Sequence, residues 1–212
     1  MKKLATSLAL ICSGVIATSA AQAAQTSHFR SSASSLIASF NSFASPCQAL
    51  STDILFGSQV IQSLGAPMRG PNLVVEVRYV DFCNPDAPID MTFDGFTDTV
   101  ESTIRGDLGA ATLVAQLPVT DASGNTVLLS INLAFTATGD VATSRDTFHT
   151  NDNGTVVNIR FSSSSRPATA TGTISGSFPT SSGPQTLNGA ATSSLSASIG
   201  NNLNGDVVVI KK

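Results

Sequence analysis

One feature limits what this chain can fold into more than any other: an apolar alternation of period two that survives three successive turns. In Thr126–Thr138, Val127, Leu129, Ile131, Leu133, Phe135 and Ala137 share one parity, and Ser130, Asn132, Thr136 and Thr138 share the other. Such a period puts the two sets on opposite faces of a strand and fits no helix. Upstream, Leu113, Ala115, Leu117 and Val119 make an odd-numbered apolar face, and the Asp121–Asn125 loop sets Val119 opposite Val127. Downstream, Gly139-Asp140 reads as a type II′ hairpin turn that shifts the inward parity to Ala142, Ser144, Asp146, Phe148 and Thr150. Asn153-Gly154 reads as a type I′ turn that sends Val157, Ile159 and Phe161 inward. The pattern carries one misfit. It places Asp146 inward, opposite Leu133 and Phe161, where an unpaired carboxylate is costly.

Around this meander the chain reads as further strands. Residues 52–61 form one, with Gly57 as a bend or bulge, and a Gly/Pro loop follows over 63–71. Residues 72–82 alternate well and stop at Asn84–Pro88, since proline cannot donate to a ladder. Residues 89–97 and 99–107 read as a strand pair turning at Asp94-Gly95 or Phe96-Thr97. A polar loop at 162–167 precedes strands at 168–178 and 186–199, and Asn201–Gly205 turns into a last strand at 206–210. The sum is an all-β fold, an antiparallel β-sandwich or barrel-like meander of about nine to ten strands with little helix. A transmembrane barrel is the runner-up, but no Trp and a single Tyr leave it without aromatic girdles.

The N-terminus has the layout of an export signal: Lys2-Lys3, an apolar run from Leu4 to Thr18, and Ala21-Gln22-Ala23 before the cleavage point. Residues 1–23 are thus expected to leave as a signal peptide. Residues 24–46 are a Ser-rich arm or a short helix on Leu36, Phe40 and Phe43, and 47–212 a single all-β domain. Losing Lys2 and Lys3 takes Lys+Arg from 11 to 9 against 14 Asp+Glu, a mature charge of −5. That balance argues against nucleic acid, whose binding rests on cationic neutralisation of phosphates. The expected location is secreted or periplasmic, with no membrane span after cleavage. There the two mature cysteines, Cys47 and Cys83, read as a disulfide.

Four blocks, Arg78–Cys83, Thr136–Asp140, Val156–Arg160 and Arg166–Thr173, resemble short motifs of an uncharacterised family of exported bacterial all-β proteins. The resemblance spans roughly residues 70–175 and implies an exported β-fold, with no activity attached to it.

The chemistry on offer is thin. His28 and His149 are the two histidines, and no Gly-x-Ser-x-Gly elbow occurs. Asn151–Gly154 fails as a calcium loop, because aligning its glycine puts His149 and Arg160 where carboxylates are required. Asp90, Asp94 and Asp98 could supply oxygen ligands if the acidic 81–107 segment folded back on itself. No cofactor is implied. The 141–161 hairpin gathers Arg145, Thr147, His149, Asn158 and Arg160 on an outward face, with Thr147 opposite Arg160 and His149 opposite Asn158. That is a basic-polar patch on an acidic chain, suited to an anionic or glycan ligand. The leading functional expectation is an exported non-enzymatic β-domain, structural, adhesive or protein-binding, with a protein or cell-surface component as partner. The alternatives are a small secreted hydrolase using His149, with Asp146 or a serine, and a calcium-stabilised adhesin-like domain.

Overall fold

The computed structural model describes residues 25–62, 68–152, 155–178, 185–187, 192–194 and 196–211. Residues 1–23, the segment expected as a signal peptide, and Asn153-Gly154 lie outside them. Among the described residues all regular structure is β. In chain order the strands are β1 (Gln25–Ser45), β2 (Gln48–Gln62), β3 (Met68–Asp81), β4 (Ile89–Thr97), β5 (Val100–Ile104) and β6 (Ala110–Asp121). They continue with β7 (Thr126–Ala137), β8 (Ala142–Asp152), β9 (Thr155–Phe178), β10 (Gln185–Leu187), β11 (Thr192–Ser193) and β12 (Ser196–Lys211).

The antiparallel pairings close on themselves. β9 pairs with β12, and the ladder runs on through β1, β2, β3, β4, β6 and β7 back to β9. Eight strands in a ring make a barrel of the size whose interior side chains can fill. They do fill it. Leu36, Phe56, Leu73, Val75, Val77, Phe93, Leu113, Leu117, Leu129 and Phe178 are fully buried, each on the alternate positions of its strand. Phe93 and Phe178 meet edge to face with ring centroids 5.0 Å apart, an arrangement worth about 0.5–1.5 kcal/mol beyond the area it buries. An apolar interior behind a Ser-, Thr- and charge-bearing wall is the reverse of a transmembrane barrel, whose apolar band faces lipid.

The β6–β7 hairpin has the expected register, Val119 opposite Val127 and Leu113 opposite Leu133. Its loop is tied by Asp121, whose Oδ1 accepts from the Ser123 and Asn125 backbone N–H groups at 2.9 and 2.8 Å. The Asn125 side-chain amide donates to Oδ2 at 2.8 Å and leads the causes that hold this carboxyl below the usual range.

Several expectations need correction. Residues 25–45 are a long strand, neither coil nor helix. The four-residue step from Leu36 to Phe40 fits both periods, but buried Ala38 between them completes an alternation of two. Asn201–Gly205 is no turn: β12 runs through it, with a register shift between Asn202 and Asp206. Gly57 is no bulge, since its pairs with Ser35 and Asn72 continue in register on either side of it.

β4 and β5 do not pair with each other. Both lie on β6, and β4 touches it through only Phe93–Asp121, Asp94–Thr120 and Gly95–Val119. Gly95 is therefore no turn glycine. A Cβ there would lie 2.6 Å from Val119 Cγ1 and 2.8 Å from the Pro118 carbonyl oxygen, so its bareness is what lets the barrel close at this seam.

The largest departure is at Gly139-Asp140, which does not turn β8 back onto β7. β7 pairs instead with β9, Leu133 opposite Gly172 and Phe135 opposite Ala170. The crossing chain is held by Arg166 Nε, which donates to the Gly139 carbonyl at 2.6 Å, and by Thr138 N, which donates to the Pro167 carbonyl at 2.9 Å. Burial decides the partner: Ala168, Ala170, Ile174 and Phe178 offer β7 an apolar face that Ser144 and Asp146 cannot. The Asp146 misfit is resolved because β8 leaves the core altogether. Nor do residues 162–167 form a loop; β9 runs unbroken through them. Pro167, which has no N–H to give, sits where β9 changes neighbour from β8, ending at Ser165, to β7, starting at Ala168.

Candidate functional site

Two places collect polar side chains with structure around them. The first is the β8–β9 ribbon. β8 pairs with residues 155–165 of β9 in the expected register: Thr147 lies opposite Arg160, His149 opposite Asn158 and Arg145 opposite Ser162. The strands therefore bring Arg145, Thr147, His149, Asn158 and Arg160 onto one face. His149 Nδ1 and Asn158 Oδ1 are hydrogen-bonded, while Arg145, Thr147, His149 and Arg160 are exposed.

The face itself differs from expectation. With no loop at 162–167 to reset parity, Asn158 and Arg160 share the side of β9 that carries Ala168, Ala170 and Ile174, the barrel's inner side. The patch thus lies on the inward side of a ribbon that overhangs the barrel, and remains exposed because the ribbon is beyond the core. Val157, Ile159 and Phe161 lie on the opposite side, half-buried, beside Phe148 at 52 % exposed. Asp146 is exposed on that opposite side too, and accepts from Ser144 Oγ at 3.4 Å. His149 and Asp146 stay on different faces, and His149's partner is an amide. Among the described residues of the ribbon, His149 and Asp146 form no acid–base pair of the kind hydrolysis needs.

The second place is the barrel end where β1 turns into β2 beside the end of β3. Cys47 and Cys83 form a disulfide there, their Cα atoms 5.1 Å apart. Phe82 N donates to the Cys47 carbonyl at 2.8 Å. Next to the disulfide sits a carboxylate that pattern reading passed over. Asp81 is 5 % exposed and accepts from Gln48 Nε2 at 2.8 Å, Tyr79 Oη at 3.1 Å and the Cys83 backbone N–H at 2.8 Å. The signal was present: Asp81 continues the odd, inward series Leu73, Val75, Val77, Tyr79. A buried carboxylate with three donors is satisfied and anchors both chain segments. The Cys47, Asp81 and Cys83 ligand atoms also lie within 4.8 Å of one another. Metal ligation needs thiolates, and here the two sulfurs are bonded to each other.

The acidic segment does not fold back on itself. β4 is extended, so Asp90 and Asp94 are about 13 Å apart, too far to share an ion that takes its oxygens at about 2.3–2.6 Å. Asp90 is instead gripped by Arg78, Nε to Oδ1 at 2.8 Å and a second N–H to Oδ2 at 2.5 Å. This hydrogen bonding draws the Asp90 carboxyl below its ordinary range. Asp94 stands opposite Glu76, and Asp98 lies past the end of the strand.

No protein family, curated protein or solved structure matches the chain. Among the described residues no helix is long and apolar enough to cross a membrane. The disulfide is compatible with an oxidising, exported compartment.

Proposed function

We propose that this chain is an exported, non-enzymatic binding domain of adhesive or structural role that takes a protein partner along the free edge of β8. The observation that carries the reading is β8 itself: eleven residues, ten of them exposed, paired among the described residues with β9 alone. Such a strand presents a row of open backbone N–H and C=O groups, the template on which an extended segment adds by β-augmentation. The filled barrel supports the same reading, because it leaves recognition to the outer surface and its edges. Arg145, Thr147 and His149 on one face, with Phe148 on the other, provide the alternating side chains that would give such an edge its selectivity.

The test is site-specific photocrosslinking in cells that export the protein, with the photoreactive residue at Thr147 on β8 or at Thr112 on the barrel wall. A discrete protein adduct from Thr147 and none from Thr112 is the expected result. Equal adducts from both, or none from Thr147, would overturn the edge assignment.

A further inference from the structure

The barrel's outer wall carries a second surface, remote from β8 in the ladder order and independent of the edge reading above. Ile37, Leu55, Val74 and Phe96 are cross-strand partners in one row over β1, β2, β3 and β4. Ile37 and Val74 are each 45 % exposed and Phe96 61 %, with Leu55 half-buried between them. These are large apolar groups at outward positions, on strands whose inward positions already supply the core. The row spans about 14 Å at the usual strand spacing.

The neighbouring row on the same face, two residues along each strand and about 7 Å away, is Asp53, Glu76 and Asp94, again direct partners across β2, β3 and β4. Like charges placed directly opposite one another destabilise a sheet. Arg78, two residues from Glu76 on the same face of β3, attracts it weakly while its guanidinium is held by Asp90, and Arg105 is held by Asp107, so neither forms an ion pair with the row. The row on the other side of the apolar one, Ser35, Gly57 and Asn72, is uncharged. The surface is therefore a one-sided stripe, apolar beside acidic.

We infer that the β1–β4 wall is a docking surface for a basic amphipathic helix of a partner protein, seated with its apolar face on the Ile37–Phe96 row and its Lys/Arg flank on Asp53, Glu76 and Asp94. Charge selects this occupant. An anionic lipid surface would meet the carboxylates with repulsion. A second copy related by a two-fold along the strands would set acidic row on acidic row. One related by a two-fold along the apolar row would set both acidic rows against uncharged Ser35, Gly57 and Asn72, with no cation to pair them. About three helical turns, near 16 Å, cover the row, with anchors at i, i+4 and i+7 spanning about 10 Å of it.

The test uses the full mature chain with its disulfide intact and two synthetic 12-residue helices, Leu at i, i+4 and i+7, one with Lys and one with Glu along the same flank. Fluorescence anisotropy should show the Lys helix binding at least tenfold tighter than the Glu helix, more weakly as salt rises. Phe96→Ser and Glu76→Lys, both at exposed positions, should each weaken the Lys helix at least tenfold, and Glu76→Lys should raise affinity for the Glu helix. That charge reversal is a gain no fold defect can mimic. Arg145→Ala on β8 should change nothing. Equal binding of the two helices, no binding of either, or insensitivity to both wall variants overturns the proposal. So does capture by neutral lipid vesicles in place of the helix, or self-association abolished by Phe96→Ser.

Discussion

Replacing Gly172 with alanine should open the barrel at its β7–β9 seam. Gly172 lies opposite Leu133 with φ at +147°, a conformation that L side chains rarely adopt. A Cβ built on it would stand 2.1 Å from the Asn132 carbonyl oxygen and 3.0 Å from Leu133 Cα, both main-chain atoms with no rotamer to yield. Ordinary carbon–oxygen approach is about 3.3–3.6 Å, so one strand must retreat by more than about 1 Å. Overpacking of this kind costs about 1–3 kcal/mol, and a non-glycine residue held at unfavourable φ about 1–3 kcal/mol more. The sum, about 2–6 kcal/mol, is a large part of the roughly 5–15 kcal/mol that holds a domain together. At about 2–4 °C per kcal/mol for a chain of this length, Gly172→Ala should lower Tm by roughly 5–20 °C. The assay is urea unfolding of the oxidised protein, with Gly57→Ala as control. An added Cβ at Gly57 meets nothing within 4 Å, so that variant should match wild type or gain about 0.4–1 kcal/mol. A Gly172→Ala protein within about 0.5 kcal/mol of wild type would refute the close β7–β9 approach.

Other outcomes follow from the same contacts. Reducing the Cys47–Cys83 bond, which closes a separation of 36 residues, should lower stability by about 4 kcal/mol in the chain-entropy treatment, read as a fall in the urea midpoint with dithiothreitol. Asp81→Ala leaves three donors without their acceptor and should cost about 1–3 kcal/mol, whereas Asp90→Ala, removing an exposed pair, should cost less than about 1 kcal/mol. Glu76→Gln should stabilise by about 0.2–1 kcal/mol by relieving Asp53 and Asp94 across the strands. The folded Asp90, Asp107 and Asp121 carboxyls are held below their ordinary range. Their contribution is therefore complete above about pH 4, the unfolded value, and is lost as pH falls through the lower folded values. The urea midpoint should drop on acidification below about pH 4, and less steeply in the triple Asp→Asn variant.

The sequence made strands legible wherever one face was apolar, because alternation names the buried face directly. Residues 72–82 could be placed as a strand on that basis, and 113–138 as a hairpin with its register. Topology was harder to read. Gly139-Asp140 has the chemistry of a hairpin turn, yet β7 joins β9, since turn preference amounts to about a kilocalorie while burying Ala170 and Ile174 against Phe135 and Ile131 removes far more apolar surface from water. Gly95 and Gly172 were opaque for a related reason: a glycine required by close approach of another strand looks, in sequence, like a glycine required by a turn. The β8–β9 patch was legible in composition and register, because both depend on local pairing. Its face was not, because that depends on whether residues 162–167 break the strand.

Closure of the barrel is the claim on which the rest depends, and cross-strand nuclear Overhauser contacts on the isotopically labelled protein test it most directly. Two points of close approach between strands are Gly95–Val119 between β4 and β6 and Leu133–Gly172 between β7 and β9. Contacts between both pairs in the same sample, together with Ala168–Ala197 between β9 and β12, are the expected result. Loss of either narrow contact while the Val119–Val127 hairpin contact persists would mean an open sheet, and would contradict the filled barrel.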